Sequence, residues 1–310
     1  MKTILTLSSV VKEFQKAKAV DELSFSVEDG EIFALLGPNG AGKTTTVRMI
    51  MQIIQPDRGE IRFDPAINGQ GRVMRSRLGY LPEERGLYQD MPVLENLVYL
   101  AGLCSNDPNS IRKEALQWLE RFGLADRKRD KVSALSKGNQ QKIQFIASIL
   151  HRPALAVLDE PFSGFDPINQ ELMSDVIRDL RNAGTTILLS AHQMQLVERI
   201  ADRILLLDSG RERICGTLAE IRKKTISARK IEVGFDAGVD PSALSRIPGI
   251  KAVESLEQEV WTVYPEENAD LNRILNGFTE AGRVRHLQTA DAGLHEIFLH
   301  SFTNTNMESK

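Results

Sequence analysis

Cysteine is scarce in this chain: Cys104 and Cys215 are the only two among 310 residues. Neither has a neighbour at metal-ligand spacing, and a chain of this length buries enough core without disulfides, so both read as reduced thiols. Long apolar runs are lacking too. Nothing approaches the ~18 consecutive apolar residues of a membrane-spanning helix, and residues 1–8 alternate like a strand instead of forming the apolar run of a signal peptide. A cytoplasmic protein is expected, with any membrane role exercised through a partner. Neither sign of charge is in excess: 39 Lys and Arg face 42 Asp and Glu, for a formal charge of -3. That balance gives no general electrostatic reason to bind nucleic acid, and none is expected as a partner. The chain also lacks internal repeats and low-complexity tracts.

What it does contain is a glycine-rich stretch, Gly37-Pro38-Asn39-Gly40-Ala41-Gly42-Lys43-Thr44, that fits G-x-x-x-x-G-K-[ST]. Such a turn leaves backbone N–H groups converging on phosphate oxygens. Residues 31–36 read as a short buried strand running into the loop. Residues 43–50 read as the helix leaving it, whose positive N-terminal end favours a bound anion.

Upstream, residues to about 27 alternate apolar and polar positions, with turn signals near 16–18 and at Glu28-Asp29-Gly30, which predicts an antiparallel β region. Helical periodicity takes over from about 85 to 150. Strands return at 154–158, 185–189 and 203–207, separated by helices near 169–182 and 194–200, an alternation that predicts a mainly parallel sheet. After a charged linker at 220–225 the pattern restarts at about 229. Strand 230–235, helix 241–247, strands 251–256 and 260–264, helix 269–281, strand 283–289 and helix 294–302 follow, a βαββαβ order with an extra helix. Residues 303–310 read as a disordered tail.

Leu155-Ala156-Val157-Leu158-Asp159-Glu160 is an apolar strand ending in two carboxylates. In phosphate-loop proteins such an aspartate helps to hold Mg2+. The adjacent glutamate, at the carboxyl edge of the sheet, can take a proton from a water attacking the γ-phosphate. His192 sits just past the next strand on the same side of the sheet. About a hundred residues after the phosphate loop comes a second phosphate-reading motif, Ser136-Lys137-Gly138-Asn139-Gln140.

In this order, from an aromatic position at Phe14 through the phosphate loop, Tyr80-Leu81-Pro82-Glu83, the motif at 135–140, Asp159-Glu160, Ser163-Gly164-Phe165-Asp166 and His192, the chain resembles the ATPase subunit of an ATP-binding cassette (ABC) transporter. The resemblance covers about residues 2–218. Lys-Gly-Asn-Gln-Gln and Leu-Pro-Glu-Glu-Arg-Gly-Leu-Tyr are similar to the ABC-2 exporter branch, and 294–299 to the end of the accessory domain found in such subunits. The fold class implied is α/β: an ABC ATPase core at 1–218 with an antiparallel β subdomain and a helical subdomain (about 85–150), plus a small α+β accessory domain at 229–302.

The resemblance also implies roles. Phe14 would stack on adenine. Gly37, Asn39, Gly40, Ala41, Gly42, Lys43, Thr44 and Thr45 would hold the phosphates of ATP, with Lys43 bridging the β- and γ-phosphates. Thr44, Asp159 and Glu83 would hold Mg2+, Glu160 would be the general base, and His192 would contact the γ-phosphate. Ser136, Gly138 and Asn139 would close over the nucleotide of a second subunit, so the active unit would be a dimer, homodimeric or with a paralogue. Glu83 departs from the family's usual glutamine: an ionised carboxylate can reach a metal but cannot donate a hydrogen bond. The function implied is ATP hydrolysis powering a separate membrane permease, for export, with residues 85–103 carrying the docking surface. The alternative is a non-transport ABC ATPase acting on a macromolecular complex, although the single cassette and the absence of sustained heptads fit that less well. A phosphate-loop kinase or GTPase lacks the second motif, and the guanine-specifying Asn-Lys-x-Asp is missing here.

Overall fold

The computed structural model describes residues 2–15, 17–65, 67–69, 72–84, 86–104, 107–224, 229–257, 259–266, 269–291, 293–294 and 297–298. The chain forms two compact units, Met1–Cys215 and Gly216–Lys310.

The first unit opens with the antiparallel pair β1 (Thr3–Phe14) and β2 (Ala17–Glu28). Next come β3 (Ile32–Leu36), buried at every position, and α1 (Lys43–Ile50). They are followed by β4 (Arg58–Phe63), the small hairpin β5 (Asn68–Gly69) and β6 (Arg72–Val73), and β7 (Leu78–Leu81). The helical segment holds α2 (Val93–Gly102), α3 (Pro108–Arg121) and α4 (Lys137–Ile149). β8 (Leu155–Asp159), α5 (Pro167–Asn182), β9 (Thr186–Ala191), α6 (Met194–Ile200), β10 (Arg203–Asp208) and β11 (Arg211–Gly216) complete the order.

Two sheets organise these elements. One is three-stranded, β2-β1-β4, and the other six-stranded, β11-β10-β3-β9-β8-β7. From β10 to β7 every pairing in the larger sheet is parallel. β3, β8 and β9 have no exposed position, as strands covered on both faces must, and so read as unbroken apolar runs. One core joins the two sheets through Leu5, Leu7, Phe25, Phe33, Val47 and Leu188. The Phe25 and Phe33 rings stack at 5.2 Å. Parallel strands point their carboxyl ends at one edge, so the loops after β3, β7, β8 and β9 gather there.

β4 and β7 were not legible in the sequence. β4 lies at the edge of its sheet and is mostly exposed, with charges at Arg58, Glu60 and Arg62, which leaves no apolar alternation to read. β7 spans only four residues.

The second unit corrects one expectation. The charged stretch expected as a linker at 220–225 is helical as far as Lys224, in α7 (Leu218–Lys224). Thr217 and Glu220 cap it reciprocally: Thr217 N–H donates to Glu220 Oε2 at 2.9 Å and Glu220 N–H to Thr217 Oγ1 at 3.2 Å, the capping box of a T-x-x-E sequence.

Beyond it, β12 (Arg229–Phe235), α8 (Pro241–Ser245), β13 (Ile250–Glu257), β14 (Val260–Pro265), α9 (Leu271–Ala281) and β15 (Val284–Asp291) follow the expected βαββαβ order. They form an antiparallel sheet ordered β13-β14-β12-β15. Ile231, Val233, Phe235, Leu244, Val263, Ile274 and Phe278 make its core. Asp240 and Asp270 cap α8 and α9 through their carboxylates. Most of the helix expected at 294–302, and all of 303–310, lie outside the described residues. No helix among the described residues is long and apolar enough to cross a membrane.

Candidate nucleotide site

The loop after β3 wraps the N-terminus of α1 and leaves a cavity of about 390 Å3, lined by Ala19, Asn39, Gly40, Ala41, Gly42, Lys43, Thr44, Thr45, Glu83 and Glu160. Glycine is required where the loop meets β2. Gly42 has φ +102°, and a Cβ there would lie 2.3 Å from the Ala19 carbonyl oxygen, so any side chain would push the loop off its strand. Gly37 lies behind the loop, against the Leu207 carbonyl.

The Lys43 side chain is buried, and its Nζ donates to the carbonyls of Gly37 at 2.9 Å and Pro38 at 3.2 Å. That ammonium also lies 3.8 Å from Glu160 Oε1. The Thr44 hydroxyl donates to Asp159 Oδ1 at 3.5 Å, a long contact that ties the start of α1 to the end of β8.

Ser190 on β9, which the sequence reading passed over, organises both acids. Its hydroxyl donates to Asp159 Oδ1, and its Oγ accepts from the Glu160 N–H at 3.0 Å. The signal was present as a polar residue near the end of the apolar run Ile187-Leu188-Leu189. His192 Nδ1 lies 2.8 Å from Glu160 Oε2. Since an ionised carboxylate only accepts, Nδ1 carries the proton of that bond.

Burial pushes the Asp159 carboxyl up from its ordinary range, against the hydrogen bonds from Ser190 and Thr44, and the charge of Glu83 adds to the rise. Burial likewise raises Glu160, outweighing the attraction of His192 and Lys43. A perturbed glutamate lining the cavity, with a second perturbed acid buried next to it in the chain, marks a candidate reaction centre.

The donor set also fits a hard divalent cation. Asp159 Oδ2 is buried without a partner, the Thr44 hydroxyl approaches the same carboxylate, and Glu83 lines the same cavity. Among the described residues no group of three or more His, Cys, Asp and Glu could hold a metal by itself. Mg2+ does not need one, because it is ordinarily held by one or two carboxylates plus substrate phosphates.

Seven of the expected site positions do not line this cavity: Gly37, Asp159 and His192 reach it only through their bonds to Lys43, Thr44 and Glu160, and Phe14, Ser136, Gly138 and Asn139 have no such bond to its lining among the described residues. Phe14 ends β1 with its ring 48% exposed and Lys12 Nζ 5.6 Å from its centroid, open as a stacking surface. Ser136, Gly138 and Asn139 form the N-terminus of α4, where Ser136 Oγ accepts from the Asn139 N–H at 3.3 Å. The Phe165 ring stands 3.8 Å from a Cβ built on Gly138, so the segment 163–166 lies against that terminus.

With this geometry in view, comparison with known proteins gives two family matches. The family described as ABC transporter matches residues 20–163, and that described as ATP-binding protein DrrA1-3-like, C-terminal domain, matches 216–302. The chain is 38% identical over 305 residues to the ABC transporter ATP-binding protein YhaQ of Bacillus subtilis, covering 96% of this chain and 97% of that one. It is 33% identical over 302 residues to the Nod factor export ATP-binding protein I of Ralstonia nicotianae, covering 96% and 92%. A solved ATP-binding subunit of an ABC transporter superposes with a TM-score of 0.65 at 29% identity, over 71% of this chain and 92% of that one. The chain belongs to the ATP-binding proteins of ABC transporters, a family of nucleotide-binding ATPases.

Proposed function

We propose that the cavity around Lys43, Asp159 and Glu160 hydrolyses MgATP, that two such chains close over a pair of nucleotides, and that the cycle drives a separate membrane permease in export. The observation that carries the reading is the meeting of a buried lysine, a metal-competent aspartate and a raised glutamate around one phosphate loop.

Lys43 exchanges the Gly37 and Pro38 carbonyls for phosphate oxygens, while the N–H groups of residues 39–45 supply the rest of the cradle. Glu160 takes the proton of the attacking water at Oε1, the oxygen left available while Oε2 accepts from His192. Ser190 keeps Asp159 and Glu160 in place beneath it. Bound Mg2+ would neutralise charge on the phosphoryl oxygens, and Thr44, Asp159 and Glu83 are the residues that would hold it. The N-terminus of α4 carries Ser136, Gly138 and Asn139 away from this chain's own cavity, which suits contact with the nucleotide of a second subunit.

A second cavity, of about 600 Å3, has Met51, Gln52, Ile53, Tyr80, Leu100 and Cys104 among its lining. Tyr88, Tyr99 and Leu103 are exposed on the neighbouring segment, and the two tyrosine rings meet edge to face at 5.4 Å. A cavity of mixed polar and apolar lining, with Gln55, Arg75 and His151 beside the apolar residues, next to a segment with exposed aromatics suits an amphipathic helix of a permease, which would hold the protein at the cytoplasmic face of the membrane. Export is favoured by the similarity to the Nod factor export protein. No observation favours the non-transport reading.

Copurification with a membrane subunit, followed by ATPase assays of the chain alone and in complex, tests the proposal. Stimulation by the membrane subunit is expected. A chain that neither retains such a subunit nor hydrolyses ATP faster with it would overturn the transport assignment.

A further inference from the structure

Glu83 stands on an exposed loop beside the nucleotide cavity, and both of its neighbours are held from behind by one side chain. Gln144, on the third turn of α4 and 5% exposed, donates from Nε2 to the Pro82 carbonyl at 3.1 Å and to the Glu84 carbonyl at 2.9 Å. Both amide hydrogens are thereby used. The opposite amide orientation would set Oε1 against two carbonyl oxygens, so the assignment follows from chemistry. Oε1 itself is buried without a partner, which makes the donor side the reason a polar residue sits here.

One turn earlier on the same face, Gln140 Nε2 makes the same fork to the Val132 and Leu135 carbonyls, both at 3.1 Å. Residues four apart on a helix share a face, so α4 carries one fork on the segment leading into Ser136 and another on the loop bearing Glu83. The end of α4 and the turn after it lie against β7 as well. A Cβ on Gly79 would lie 2.3 Å from the Ser148 carbonyl oxygen, and His151 Nε2 lies 2.9 Å from the Leu78 carbonyl oxygen.

We infer that Gln144 is a positioning residue: it sets Glu83 toward the metal of its own nucleotide and makes that position follow the helix whose N-terminus meets the other nucleotide. The inference rests on the proposed reading of Glu83 as metal-facing. α4 and the Glu83 loop then move as one body, and displacement at Ser136 and Gly138 is felt at Glu83 without any contact between them.

The test is Mn2+ binding to the full chain, followed by electron paramagnetic resonance in the presence of a non-hydrolysable ATP analogue. Gln144→Met is expected to weaken Mn2+ binding on the order of 10-fold, the low end for losing an outer-sphere support, and Glu83→Ala, which removes the supported group itself, at least as much. The double variant should be no weaker than Glu83→Ala alone, and analogue binding without metal should be unchanged. Gln144→Glu keeps the size but lacks both donors when ionised, and should reproduce the loss if the methionine variant fails to fold. A wild-type Mn2+ titration in the Gln144 variants beside a weakened Glu83→Ala would overturn the inference alone, even if their melting temperatures fell. So would additive losses in the double variant. A wild-type titration for Glu83→Ala would overturn the reading of Glu83 together with the inference.

Discussion

His192 and Glu160 are joined by a 2.8 Å hydrogen bond between Nδ1 and Oε2, and the backbone beneath Glu160 fixes the side of that pair that faces the cavity. Glu160 has φ 51°, left-handed for a residue with a side chain, and its N–H is shared between the Ser190 carbonyl at 3.2 Å and the Ser190 hydroxyl at 3.0 Å. Strain of this kind costs on the order of 1–3 kcal/mol and persists only where the surroundings over-determine it. Here it turns the carboxylate just past β8 toward Lys43, whereas that of Asp159 is bonded to Thr44.

Glu160→Gln keeps the shape of the residue but removes the proton acceptor. Hydrolysis is expected to fall on the order of 10²–10⁴-fold, while ATP still binds because Lys43, Thr44 and the loop are untouched. Light scattering with ATP should then find the variant as a persistent dimer. Near-normal turnover by this variant would remove Glu160 from the role of base.

The raised Glu160 carboxyl has opposite consequences for activity and stability. As a base it must be ionised, so kcat/KM should fall on acidification along a limb centred above the ordinary glutamate value of 4.5. For stability, a folded-state pKa raised by burial means that the native protein holds the proton more tightly than the unfolded chain. The stability this group contributes is full below the unfolded value and is lost as pH rises through the folded one. Glu160→Gln should therefore melt higher than wild type without nucleotide at about pH 8, by roughly 2–4 °C per kcal/mol of relieved burial. The gain should shrink toward about pH 4. Thermal scans at the two pH values check both sign and trend, and a gain that grew on acidification would contradict the assignment.

How far the sequence could be read follows from how local each signal is. The helix read at 43–50 coincides with α1, and the strands at 154–158, 185–189 and 203–207 fall on β8, β9 and β10, because a buried parallel strand advertises itself as an apolar run. The phosphate loop, Glu83 and Glu160 reach one cavity because strand ends on one sheet edge converge. Ser190 and Gln144 escaped notice because their partners are remote: Ser190 meets Asp159 and Glu160 across β8 and β9, and Gln144 on α4 meets Pro82 and Glu84 in the loop after β7. The α7 cap, by contrast, lay in plain sight as Thr217-Leu218-Ala219-Glu220 and was masked by the surrounding charge.

Lys43→Ala should act on binding, not on chemistry alone. Its ammonium is buried and bridges two carbonyls and Glu160, so truncation leaves the loop without its phosphate counter-charge. Losing one partner of a buried charged contact costs roughly 2–5 kcal/mol. Equilibrium titration with a fluorescent ATP analogue is expected to read weakening of that size. Unchanged affinity would mean that the loop N–H groups alone hold the phosphates.

Removing the second unit, from Gly216 onward, should leave the phosphate site intact, since every residue lining the nucleotide cavity lies in the first unit. We expect the unit to strengthen dimerisation, given its own sheet and core. In a Glu160→Gln background with ATP, light scattering should find a smaller dimer fraction after the truncation. A full dimer fraction would leave the second unit without that role.

Glu83 offers the sharpest contrast between two substitutions. It lines the nucleotide cavity, and its charge contributes to the raised Asp159 carboxyl, which is the ground for proposing that the two acids share a cation. Glu83→Ala removes the proposed oxygen ligand and should lower both ATPase activity and its stimulation by the membrane subunit. Nucleotide affinity should barely move, because the loop contacts remain. Glu83→Gln keeps an acceptor oxygen of the same reach and adds an N–H2 donor, so it should retain more of that stimulation than alanine does. The oxygen, not the negative charge, is then what the site requires. ATPase rates of both variants with and without the membrane subunit decide the matter: equal, wild-type stimulation in both would make Glu83 a solvated loop acid, and loss in both would make the charge itself the requirement.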